Sequence, residues 1–141
     1  MAGPLTDLEK AVMQALLAGA DPRLAVLRDQ LSAATLAIRK FTGVGFFTEF
    51  FVPASAARLT EPINNPIGDL FGELDGVDDV GGFLLWLEEG ALHTLKGFSY
   101  GHRWAENAEL RRLYYTHTVR GGNVVEATER DLLEALGSRL A

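Results

Sequence analysis

The chain has 141 residues, no cysteine and a net charge of −6, with 48% hydrophobic and 23% charged residues. This is one ordinary domain, long enough to bury a core without staples, and its composition is globular rather than disordered or fibrous. The missing cysteines exclude disulfides and thiolate chemistry. The basic residues are scattered, with only Arg39-Lys40 and Arg111-Arg112 adjacent, which disfavours a phosphate backbone as partner. The acidic balance suits solubility, or encounter with a basic protein.

The N-terminal stretch MAGPLTDLEKAVMQALLAGAD has no basic leader and carries Asp7 and Glu9 before its apolar residues, so it makes a poor signal peptide. No apolar run approaches the roughly 20 residues of a membrane span. A cytoplasmic protein with no membrane partner is the expectation. Thr6 followed three residues later by Glu9 is a capping box. Leu8, Ala11, Val12, Ala15 and Leu16 then form one helical stripe, and Gly19 is placed to stop the helix. Asp21-Pro22 restarts one, with Asp as N-cap and Pro at the first helical position. Leu24, Leu27 and Leu31 line its inner face. Helices over 6–18 and 22–33 make an N-terminal helical hairpin.

The period then changes to two. TLAIRKF (35–41) and FFTEFFV (46–52) flank the glycines of TGVG and predict a strand hairpin. Residues 54–66, with Pro62 and Asn64-Asn65-Pro66, predict a long surface connection. Strands follow over 67–75, 82–88 and 91–98, the first two separated by DGVDDVGG and the last two by EEG. ENAELRRLYYTHTV suggests a helical turn that gives way to β-favouring residues, and Arg120-Gly121-Gly122-Asn123 is a hairpin signal. Thr128 with Asp131 opens a last helix with Leu132, Leu133, Leu136 and Leu140 on its inner face. The whole predicts a single α+β domain over 1–141: a helical hairpin on a mostly antiparallel sheet of about five strands, with a C-terminal helix closing an edge.

In GGFLLWLEEGALHTLKGFSYGHRW (81–104), Phe83, Leu85 and Leu87 share one strand face and Leu84 and Trp86 the other. A strand apolar on both sides is either central in a covered sheet or carries a contact surface. The hairpin as a whole reads as core, with Trp86 buried in that case. Its turn is two or three residues long. The two-residue form sets Trp86 opposite His93 and the three-residue form sets Leu85 there, with Gly90 left-handed. Phe46, Phe47, Phe50 and Phe51 likewise occupy both faces of one strand, more aromatic surface than two helices cover, and self-association as a homodimer follows as an expectation.

This segment, with TGVGFFTEFFVP before it, resembles a family of small bacterial α+β proteins of unassigned function. The resemblance spans roughly residues 5–115. It departs from the family at Lys96, where Glu is expected, and at Ala105, where Pro is expected. Some small acidic proteins of this kind behave as immunity proteins for toxins, so the resemblance implies, by loose analogy, binding and occlusion of a protein partner.

Candidate chemistry is sparse. His93, His102 and His117 form no HxH or HxxxH pair, so no metal and no cofactor are expected. Gly43-Val44-Gly45 precedes a strand pattern and reads as a turn, not a dinucleotide loop. Asp69, Glu73, Asp75, Asp78 and Asp79 lack calcium-loop spacing and read as a solvated acidic face. Ser55, Ser99 and His102 have no GxSxG elbow around them. The best functional cluster is Ser99, Tyr100, His102, Arg103 and Trp104, in a loop just past a strand, rich in the residue types of binding hot spots. The competing reading is a packed loop, with Trp104 covering the sheet end. A non-catalytic interaction module, antitoxin-like, is favoured over an enzyme. The alternative is a small-molecule-binding or hydrolytic protein with a pocket at 99–104, where Glu49, His102 and Arg103 would converge.

Overall fold

In the computed structural model the described residues are 5–77, 80–100 and 103–139. Helix α1 (Asp7–Leu16) opens on the anticipated capping box: the Thr6 hydroxyl accepts from the Glu9 N–H and the Glu9 carboxylate accepts from the Thr6 N–H. Helix α2 (Pro22–Ala33) starts from the Asp21 cap with Pro at its first turn. Seven strands follow: β1 (Thr35–Phe41), β2 (Gly45–Phe51), β3 (Ile67–Val77), β4 (Gly81–Glu88), β5 (Ala91–Phe98), β6 (Trp104–Thr118) and β7 (Val124–Glu126). They form one antiparallel sheet in the order β1-β2-β5-β4-β3-β6-β7.

The count of about five strands is therefore corrected to seven. The two additions lie at residues 104–118 and 124–126, and the first holds no helical turn. Residues 104–118 are one long strand because β3 offers them a ladder: Leu70 pairs with Tyr115, Gly72 with Leu113 and Leu74 with Leu110. Pairing across the sheet overrides the helical preference of ENAELRR. The anticipated Gly121-Gly122 turn joins β6 to β7, both glycines having positive φ.

Helix α3 (Leu132–Leu136) is shorter than expected and is capped by Asp131 rather than Thr128. It lies along β3 and sends Ala135 and Leu136 into the common core instead of closing an edge, while Leu133 is exposed. Leu140 lies outside the described residues.

The core is the space between the helices and one sheet face. Val12, Met13, Leu16, Leu24 and Leu27 pack on Phe46, Phe50, Leu70, Phe83, Leu85 and Leu95, all buried. The sheet curls round this filling. The Trp104 N–H donates to the Gly43 carbonyl at 2.9 Å, so the start of β6 reaches the β1–β2 turn although β6 stands four places from β2 and five from β1 in strand order.

The β4–β5 turn is the two-residue form, Glu89-Gly90, both with positive φ, and Glu88 pairs with Ala91. A bulge beyond Leu87–Leu92 leaves His93 unpaired and sets Trp86 against Thr94 and Leu85 against Leu95, so neither anticipated partner meets His93. Phe83, Leu85 and Leu87 are core, but Trp86 is 41% exposed, which corrects its assignment to the buried interior.

Candidate functional site

The sheet divides the 99–104 cluster. Ser99 is buried and its hydroxyl donates to the Val44 carbonyl at 3.1 Å, which fixes the loop rather than offering a nucleophile. Tyr100 is 65% exposed and stands edge-on to Phe98, on the face away from the helices. Trp104 turns to the opposite, buried face. It meets Phe46 and Phe83 edge-on at 5.7 and 6.0 Å and lies over Gly81, where a Cβ would come within 2.8 Å of its ring. Arg103 is exposed between the two. His102 lies outside the described residues. Tyr100, past the end of β5 beside outward Phe98, and Trp104, at the start of β6 against Phe46 and Phe83, thus stand on opposite sides of the sheet.

Three helices cover one sheet face; among the described residues no element covers the other. Along one row of that second face the residues in register are Gly45, Phe98, Gly82, Phe71 and Tyr114. Gly82 leaves room for the Phe98 ring, which meets Phe71 at 6.3 Å, and Phe71 stacks on Tyr114 at 6.4 Å. Arg112 lies 4.5 Å over the Tyr114 ring and pairs with Glu73 and Glu126, so this end is self-satisfied. Further along, toward β1, the face is open. Ile38 is 51% exposed and Phe51 59%, joined by Trp86. Phe47 and Leu84 are half-buried and stand on either side of Lys96 in register, and Glu49 lies opposite Thr94.

A second feature is a cleft of about 640 Å³ between the first turns of α1 and the start of β6, lined by Glu9, Arg39, Phe46, Trp104, Glu106 and Glu109 among others. Its wall is a part-buried ionic network centred on the buried Glu9. The Glu9 carboxylate accepts from Arg39 (Nε–Oε2 2.9 Å) and from the Thr48 hydroxyl, besides capping α1. Burial pushes this carboxyl's pKa upward. The hydrogen bonds from Arg39, Thr48 and the Thr6 backbone, with the Arg39 charge, outweigh that and hold it below its ordinary value. Sequence reasoning saw Glu9 only as a cap, since its partners lie 30 and 39 residues away.

The acidic turn is likewise split. Asp69 is buried against Arg130 at 3.0 Å, which corrects its place on a solvated face. Glu73 and Asp75 are exposed and paired with Arg112 and Arg111. Asp78 and Asp79 lie outside the described residues. His93 hydrogen-bonds Thr94 and its Nε2 lies 3.1 Å from the Glu88 carboxylate, and Ser55 is exposed. Among the described residues no three His, Asp or Glu side chains gather as a metal would need, and no helix is long and apolar enough to cross a membrane. No family model matches the chain, and no curated protein or solved structure matches it either.

Proposed function

We propose that this chain is a non-catalytic protein-interaction module, acting in the cytoplasm, and that the uncovered sheet face is the surface that meets the other protein. The observation that carries this is the one-sided covering of a sheet whose strands are apolar on both sides. Phe51, Trp86, Ile38 and Tyr100 are left exposed together with half-buried Phe47, Leu84 and Phe98. A water-facing array of large apolar groups is costly unless a partner removes it from water, and Trp and Tyr are hot-spot residues. An antitoxin-like use fits, in which the face occludes the partner's own working surface.

The test places a photo-crosslinking amino acid at Trp86 and, separately, at Asp29 on the solvent side of α2. Adducts from position 86 with a saturable partner, lost in Phe51→Ser, are expected. Adducts only from position 29 would overturn the reading.

The cleft favours a second reading, small-molecule binding. Its 640 Å³ is of ligand size, Trp104 and Phe46 give it apolar walls, and Glu106 and Glu109 at its rim select for cations. A hydrolytic role has less support, since Ser99 is committed to Val44. Shifts of the Trp104 indole N–H resonance on titration with agmatine would support this pocket, and an unmoved resonance would remove it.

A further inference from the structure

We infer that the occupant of the uncovered face is a second copy of this chain, docked about a two-fold axis with Lys96 of each copy against Glu49 of the other. This rests on the reading of that face as a protein-contact surface and fixes what contacts it.

The charges on the face separate into two groups. At the β3–β6–β7 end they are used within the chain: Arg112 holds Glu73 and Glu126, and Arg111 holds Asp75. At the β1–β2–β5 end they are not. Lys40 and Lys96 stand on either side of Phe47 in register, and Glu49 lies one same-face position along β2. None of the three has an ion-pair or side-chain hydrogen-bond partner among the described residues. They lie among exposed apolar side chains of the sheet, Phe51, Ile38 and Trp86.

A partner presenting one sign of charge would bury the other sign unpaired, which is expensive. A patch with both signs free is complementary to itself under a two-fold operation, where residue i meets j and j meets i. The net charge of −6 on each copy opposes approach, but at physiological ionic strength it is screened beyond about 8 Å, so contact-range pairs decide. Pairing through the β1 edge is the other route to self-association, and the bulge between Leu36 and Ile38 blunts it by interrupting the run of free backbone groups.

Sedimentation equilibrium of the full chain at micromolar concentration tests this. The wild type should be a dimer. Lys96→Glu and Glu49→Lys should each raise the dimer dissociation constant at least about tenfold, because each sets like charges together twice. The double variant should return to within about threefold of wild type, because the swapped pairs re-form. Circular dichroism should show all three variants folded, as both positions lie on the uncovered face. A monomeric wild type, single variants without effect, or a double variant as weak as the sum of the singles would each overturn the inference. If the wild type is monomeric while position 86 still crosslinks to a foreign protein, the inference fails and the interaction-module reading stands. If the wild type is dimeric and the swap restores it, a foreign partner taking this face must compete with the second copy.

Discussion

Glu9 shows how much one side chain carries. It caps α1, holds Arg39 and Thr48 and walls the cleft. Glu9→Ala removes the buried member of a part-buried pair and leaves Arg39 and the buried Thr48 hydroxyl short of an acceptor, which should cost about 2–3 kcal/mol by urea denaturation. The pH dependence has a definite sign. The folded pKa of Glu9 is below its unfolded value of 4.5, so its contribution is present above that value and is lost as pH falls through the lower folded pKa. Acid titration of stability should therefore be shallower below pH 4.5 in Glu9→Gln than in wild type. On the sheet, residues three positions apart in sequence have opposite fates. Phe83→Ala, in the core, should cost about 3–5 kcal/mol. Trp86→Ala, on the open face, should cost no more than about 1 kcal/mol. A large loss at Trp86 in dilute solution would show that the face is covered within the monomer.

At the level of elements, the β4–β5 turn is a joint for three distant segments. The Gly90 carbonyl accepts from the Leu59 N–H at 2.9 Å and from the Gln30 side-chain amide at 2.8 Å, and the Gln30 carbonyl accepts from the Leu92 N–H at 2.9 Å. Gly90 has φ +76, and a Cβ there would lie 2.2 Å from the Leu59 carbonyl oxygen. Gly90→Ala should cost about 2 kcal/mol or more, read by thermal or chemical melting, because strain and the broken bond to the 53–66 connection act together. The C-terminal segment is held by two arginines. Arg23 donates to the carbonyls of Pro62 and Gly137, and Arg130 donates to Asp69 and to the carbonyls of Ala15 and Ala18 at the end of α1. Arg130→Met should leave the sheet intact and raise amide exchange in α3, since α3 is too short to hold itself in place.

For the molecule as a whole, the proposed interaction role makes the outer, aromatic face of the curled sheet the contact surface. Replacing Phe51 and Trp86 together by Ser should leave urea stability within about 1 kcal/mol at concentrations where the wild type is monomeric, while reducing binding of a hydrophobic dye and abolishing partner capture. A protein that kept its partner after both substitutions would have its working surface elsewhere, with the cleft as the next place to look.

The helical hairpin, its two caps, five of the strands and the glycine turns were legible in the sequence, because each rests on local rules: capping geometry, the choice between a period of 3.6 and one of 2, and glycine's access to positive φ. The aromatic doublets Phe46-Phe47 and Phe50-Phe51 also announced a strand apolar on both faces. Residues 104–118 were not legible as one strand, because their conformation is set by pairing with β3, some 40 residues away. The Tyr100–Trp104 stretch looked like one site in the sequence, yet Tyr100 follows the end of β5 on the outer face while Trp104 starts β6 packed inward on Phe46, so the fold divided it. Sequence determined which residues are apolar and at what period. Tertiary structure alone decided which face the helices cover, and so which aromatics became core and which were left facing water, because covering a face depends on packing between distant segments rather than on any local preference.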